Sequence, residues 1–380
     1  MSNPAARDLG VDAARGLALI SMFVAHTAPS DGPGNALYLS ELLTAALFAT
    51  LIGMGMWLSW SRLGQRAGRR QGRFLAGVAV RSVALIATGV LLARLPTNVD
   101  IILVHLGVLT LLVAFVVRLP SSVVAALGIS FAVLGSVLTR ELAPLHTELA
   151  TDGHSNLARL LDGAAVGLGS YRVTHLLAWA CLGILLARRL RNQQADAASW
   201  QQVRGDTLLT AGALVAAATM LVARSAGLIT IRAYEGTLSE VIFDALLCIA
   251  AACGSAVLVR LIPRAVVRPI AFAGAMTLTL YVAQILVLAA FTAQHPLFWN
   301  DDSWPMLTGL VVGSLAFAVL WRALVRTGVF ERGPLEGIVG LGIRAVEKGW
   351  PDRPEPPRWP ARGKPPQLAD GCAQARRSSP

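Results

Sequence analysis

The chain has 380 residues, 55% of them hydrophobic and only 14% charged, with a mean hydropathy of +0.60. Soluble globular proteins carry about a quarter charged residues, so this composition excludes a soluble enzyme or a disordered chain and indicates an integral membrane protein. The net charge of +11 would suggest nucleic acid in a soluble chain; here the arginines cluster between apolar runs, where membrane topology explains them and no nucleic-acid partner is expected.

The first stretch, RDLGVDAARGLALISMFVAHTAP from Arg7 to Pro29, starts on charges and ends on a histidine. Leu17 to Ala25 has the form of a short leader, but further spans follow, and we read it as the first of them. As a helix it puts Asp12, Arg15, Leu19, Met22 and His26 on one stripe. Arg15 and His26 then lie roughly 16 Å apart along the axis and within about 20° around it. That geometry predicts a guanidinium near one membrane surface and an imidazole near the other, both looking into a common tunnel.

Ten apolar runs follow the period of a helix, at about 9 to 28, 41 to 60, 74 to 94, 99 to 117, 121 to 139, 172 to 188, 206 to 223, 239 to 259, 269 to 292 and 304 to 323. The predicted fold is an all-α, polytopic transmembrane bundle. Arginines gather in the loop 61 to 73, at Arg188, Arg189, Arg191 and Arg204, and at Arg260, Arg264 and Arg268, while loops 29 to 40 and 293 to 303 contain no Lys or Arg. By the positive-inside rule both termini are cytoplasmic. His26, His105 and His175 then fall at outer helix ends, and His146, His154 and His295 in outer loops. The connection 140 to 171 is long and polar, suited to a lid or a short interfacial helix.

Residues 1–328 form the transmembrane domain in this reading. Within 329–348, GPLEGIVGLGIRAVE aligns Leu335, Ile338, Val339, Ile343 and Val346 as the apolar face of an amphipathic helix on the inner membrane surface. The Pro- and Arg-rich tail, 349–380, has too little apolar content to fold. Cys181, Cys248 and Cys253 sit in apolar runs and Cys372 in the tail, which makes neither a disulfide framework nor a metal site.

Six segments, in order, carry a resemblance: VDAARGLALISMFVAH, SELLTAALFATLIGMGMWL, VDIILVHLGVLTLL, HLLAWACLGILLAR, FAGAMTLTLYVAQ and FERGPLEGIVGLGIR. Together they resemble the YeiB-like bacterial membrane family and its relatives, the heparan-alpha-glucosaminide N-acetyltransferases, over most of residues 7 to 347. The resemblance implies a multi-pass acyltransferase of the plasma membrane. Its donor would be cytoplasmic acetyl-CoA or another acyl-CoA, and its acceptor an extracytoplasmic glycan, cell-envelope component or metabolite. The chain departs from many relatives, which have Asn at the place of His26, often Tyr at that of His105, and frequently His at that of Gln284.

The candidate residues each carry two readings. Asp12 and Arg15 are either a structural ion pair in the headgroup layer or a donor site, with Arg15 holding the phosphates of acyl-CoA and Asp12 orienting it. His26 is either a bonded helix-end histidine or a general base or acyl carrier. Asp100 and His105 are either a helix-end carboxylate and a capped histidine or a catalytic pair, although a spacing of five puts them on different helical faces. Thr277, Tyr281 and Gln284 form a stripe for interhelical bonding or for binding donor or acceptor. Glu240 and Asp244 are either solvated helix-end residues or an acidic pair able to polarise His26 or bind a cationic group. Arg81 either snorkels to the inner surface or joins the phosphate site. No metal is expected, and a homodimer stays open. The alternative function is a transporter or exporter of a small solute or lipid-linked intermediate, its path lined by the polar stripes; a non-catalytic assembly partner is a third.

Overall fold

The computed structural model describes residues 9–29, 36–62, 69–151, 171–194, 200–295 and 302–348. Among them the chain is all-α, with twelve helices and no strand: α1 Leu9–Thr27, α2 Ala36–Arg62, α3 Arg69–Leu92, α4 Leu103–Val116, α5 Ser121–Thr151, α6 Val173–Gln194, α7 Trp200–Ser225, α8 Leu238–Leu261, α9 Arg264–Ala275, α10 Thr277–Gln294, α11 Trp304–Leu324 and α12 Pro334–Lys348. Nine of these are long and apolar enough to cross a membrane. The protein is a membrane-embedded helical bundle. His154 and the tail 349–380 lie outside the described residues, as does most of the predicted outer connection.

α1, α2, α6 and α8 form the interior, and α5, α7 and α11 are peripheral. Exposed Ile129, Val133, Leu208, Val215, Val312 and Leu320 mark the outer faces of the peripheral helices, as expected where lipid takes the place of a packed neighbour. Because lipid is as apolar as leucine, the interior is held by close packing rather than by hydrophobic exclusion. At the α2/α6 crossing, a Cβ on Gly53 would collide with the Ala180 carbonyl and one on Gly183 with the Thr50 carbonyl. The two backbones touch on both sides of that crossing.

Three predicted spans are corrected. The fifth, expected to end at 139, runs on to Thr151, so His146 falls within a helix rather than an outer loop. The fourth, expected from residue 99, begins at Leu103 and has 14 residues. Asp100 therefore sits in the approach to α4, where the helical argument that kept it from His105 does not apply. The ninth, expected to run unbroken from 269 to 292, is interrupted at Met276 between α9 and α10. There Gly274 packs onto the Asp12 carbonyl of α1, a closeness that leaves no room for a Cβ. The Thr277 hydroxyl donates to the Gly274 carbonyl at 2.7 Å, taking up a backbone acceptor beside the break.

α12 is amphipathic as predicted, but it packs on α3 and α10 as well as presenting Ile338 and Leu341 outward. Its anchor is Glu336. The carboxylate accepts from the Leu278 amide at 2.8 Å, the Thr279 amide at 3.2 Å and the Thr279 hydroxyl at 2.5 Å. Met276, at the N-cap of α10, offers no side-chain hydrogen bond, so a carboxylate from the tail helix supplies the missing cap. Burial pushes the Glu336 carboxyl above its ordinary range, while the Thr279 hydroxyl and the backbone amides pull it back. Glu336→Ala will leave those amides unpartnered, lowering stability by about 1–3 kcal/mol; thermal unfolding in detergent reads this, and Glu336→Gln, which keeps an acceptor oxygen, will lose less.

Candidate functional site

A cavity of about 1010 Å³ opens between α1, α2, α3, α4, α10 and α12. Its walls carry six arginines, Arg15, Arg62, Arg73, Arg81, Arg332 and Arg344, and only two acidic residues, Glu331 and Glu336. Glu331 already pairs with Arg322, and Glu336 caps α10. The charges of Arg15, Arg332 and Glu336 all act on Arg81, so the wall concentrates positive charge where the dielectric is low. Phe48, Leu51, Met56, Leu85, Leu103 and Leu106 make much of the remaining lining apolar. The chemistry is that of a site for an amphiphile with an anionic head.

Arg15 is set into this wall by two neighbours. Asp12, itself buried, accepts from its Nη1 at 3.1 Å. Gly55 lies against its other end, where an added Cβ would stand 2.8 Å from Nη2. Arg81, Thr277 and Tyr281 line the same cavity, so four of the predicted binding residues converge and Asp12 supports one of them.

The expected tunnel along α1 is closed. Leu19 and Met22, which separate Arg15 from His26 on the stripe, are 0% and 1% exposed, and His26 is not on the cavity wall. The reason is that α1 is packed by α2, α8, α9 and α10, so its stripe becomes core. The link to His26 runs through α10 instead: Tyr281 lines the cavity, and one turn further along the helix Gln284 Nε2 stands 3.0 Å from His26 Nδ1.

Asp100 is exposed in the approach to α4, and its charge is a secondary influence at His26, His105 and Tyr281. Tyr171, which the sequence reading passed over, donates from its hydroxyl to the Asp100 carbonyl at 3.3 Å and places its ring 5.8 Å from that of His105. The Tyr281 hydroxyl is buried without a hydrogen bond of ordinary geometry, although the Ile102 backbone is within electrostatic reach.

Beyond Tyr171 lies a hollow of about 20 Å³, lined by Glu41, Arg172, His175, Tyr234, Glu240 and Asp244 among others. Glu240 and Asp244 are buried rather than solvated. Glu240 accepts from the Tyr234 and Gly236 amides at 2.7 and 2.6 Å, and Arg172 Nη1 donates to the Tyr234 carbonyl at 2.9 Å. These bonds hold Tyr234 at φ 66, a conformation costly for a residue with a side chain. Burial pushes its phenol up to about 12 and pulls the Arg172 guanidinium down, against the pull of Glu240. Asp244 Oδ1 and Arg172 Nε are both buried without partners. An acceptor and a donor facing a water-sized space are what one bridging water satisfies. The missed signal was Arg172 itself, an arginine at the end of its span where the positive-inside rule expects none.

No model of a known protein family matches the chain, and no curated protein matches it. The functional reading therefore stands on the residues alone. Among the described residues no cluster of three or more His, Cys, Asp or Glu side chains is arranged to hold a metal ion.

Proposed function

We propose that this protein is a membrane acyltransferase that takes an acyl group, acetyl foremost, from cytoplasmic acyl-CoA. The acceptor is an extracytoplasmic glycan, envelope component or metabolite. In this reading the arginine-lined mouth faces the cytoplasm of a cell whose plasma membrane holds the protein. What supports it is the cavity itself: six guanidinium groups and an apolar lining share its wall with Tyr281, which lies one turn from the Gln284–His26 pair. Arg15 and Arg81 bind the donor phosphates, with Asp12 orienting Arg15, and the apolar lining receives the pantetheine arm and acyl group. The N-terminus of α10 is not part of the anion site, since Glu336 occupies it.

In the transfer, a hydroxyl or amine of the acceptor attacks the thioester carbonyl carbon. The new C–O or C–N bond forms, the C–S bond breaks, and the acceptor's proton ends on the departing thiolate. We assign the proton and the charge on the acyl oxygen to His26, Asp100 and Tyr281, with His105 held against the Tyr171 ring.

Purified protein given labelled acetyl-CoA will transfer or hydrolyse the acetyl group. Arg15→Ala will weaken donor binding by about 10- to 100-fold, the worth of a charge-assisted bond to phosphate, and Arg15→Lys will restore only part of it, for lack of the planar fork. Unchanged affinity in Arg15→Ala overturns the donor assignment. A second reading, transport of an anionic solute or lipid-linked intermediate, draws on the break between α9 and α10 beside the cavity, a feature that discontinuous transporter helices share. Flux into reconstituted vesicles without any acyl donor would select it.

A further inference from the structure

The hollow beyond Tyr171 takes no part in the transfer described above, yet its polar lining is costly to keep. Asp244 and Arg172 are 2% and 8% exposed, and Asp244 Oδ1 and Arg172 Nε have no hydrogen-bond partner among the described residues. One is an acceptor without a donor and the other a donor without an acceptor, on two residues that line the same hollow. Burying such groups bare destabilises a fold. Their retention, beside a Tyr234 held at φ 66, marks a place where stability is given up, as happens at binding sites.

The two bare atoms narrow the ligand chemistry. An ammonium group brings only donors and leaves Arg172 Nε unfilled, while a carboxylate or phosphate brings only acceptors and is repelled by Asp244. A hydroxyl brings one of each. Water does too, and the hollow of about 20 Å³ has room for one oxygen from either source. The rim favours the larger molecule. Glu41, Tyr171 and Tyr234 are only half-buried there, and the two phenol rings meet edge to face with centroids 5.9 Å apart. A sugar ring carries hydroxyls at its edge and C–H groups on its faces, which suit such a floor and such walls.

We propose that the hollow is a subsite for a sugar hydroxyl, which donates to Asp244 and accepts from Arg172 Nε while the ring packs on the rim aromatics. Its role as the acceptor's anchor rests on the acyl-transfer reading. Tyr171 is the shared wall: it lines the hollow, donates to the Asp100 carbonyl and holds its ring 5.8 Å from that of His105. Glu41 in the hollow and Arg62 in the arginine cavity stand near opposite ends of α2, roughly 30 Å apart at the rise of a helix, so sugar and donor enter from opposite faces. The subsite itself does not depend on that reading.

Saturation-transfer NMR on purified protein, without acyl-CoA and in a detergent lacking a sugar head group, tests it with methyl glucoside, methyl galactoside and methyl mannoside. At least one will bind, and Asp244→Ala will weaken it by about 10- to 100-fold, the worth of a hydrogen bond to a charged group. Asp244→Asn, of the same shape, will weaken it less and melt no lower than wild type, because a bare carboxylate holds nothing together; a lower-melting Asp244→Asn makes the group structural and overturns the proposal. So does binding of none of the three sugars, or binding untouched by both substitutions, either of which leaves a resident water only. Should Asp244→Ala fail to fold, Asp244→Asn still decides. Sugar binding without acetyl transfer would sink the proposed activity and leave the subsite standing; acetyl transfer without sugar binding would do the reverse.

Discussion

Gly183→Val will fail to assemble. A side chain there has to displace the Thr50 carbonyl, and on the opposite side of the same crossing Gly53 meets the Ala180 carbonyl. Neither obstacle is a side-chain tip that can swing aside; both are backbone inside transmembrane helices. Relief requires parting α2 from α6, the most extensive helix pairing among the described residues, with loss of the contacts on which Leu47, Leu51, Met54, Leu176 and Ile184 depend for their burial. The expected cost exceeds about 3 kcal/mol, the upper end for an overpacked core. It will appear as aggregation on detergent extraction and a lost thermal transition. Gly309→Val, on the outer face of α11 where nothing lies within 4 Å, is the control and will stay monodisperse. A well-folded Gly183→Val protein would mean that the α2/α6 crossing is not as described.

His26→Ala will lower acyl transfer by about 10²- to 10⁴-fold, the range for a group that moves a proton or stabilises a developing oxyanion, with little change in donor KM. The split is expected because the arginines that bind the donor lie on the cavity wall and His26 does not. A second substitution separates the two roles. His26→Gln keeps an N–H close to where Nε2 stood, so a donor role predicts partial recovery over His26→Ala, whereas a base role predicts equal loss. Wild-type turnover in His26→Ala would remove the imidazole from the mechanism altogether.

Much of the architecture was legible because helical period and apolar length are local properties. Asp12 and Arg15 pair as their spacing of three requires, and the apolar face of 335–346 does form a helix. The same local logic misled where the backbone stopped obeying it. Asp100 was assigned to a helical face it does not occupy, because α4 begins only at Leu103. The break at Met276 was invisible; beside it Gly274 packs on α1, over 250 positions earlier in the chain, a contact no local pattern reveals.

The closed stripe on α1 shows the limit most clearly. Spacing placed Arg15, Leu19, Met22 and His26 on one face, and the structure agrees, but a face can line a void or fill a core. Which of these it does depends on the helices that arrive against it. Sequence alone determined the membrane class and most of the helices, because each follows from side-chain transfer and a fixed rise per residue. Tertiary structure decided that six arginines share one cavity, that Glu336 accepts from the Leu278 amide 58 positions before it, and that Gln284 meets His26 across 258 positions. No local rule reaches that far, because only packing brings distant segments within hydrogen-bonding distance.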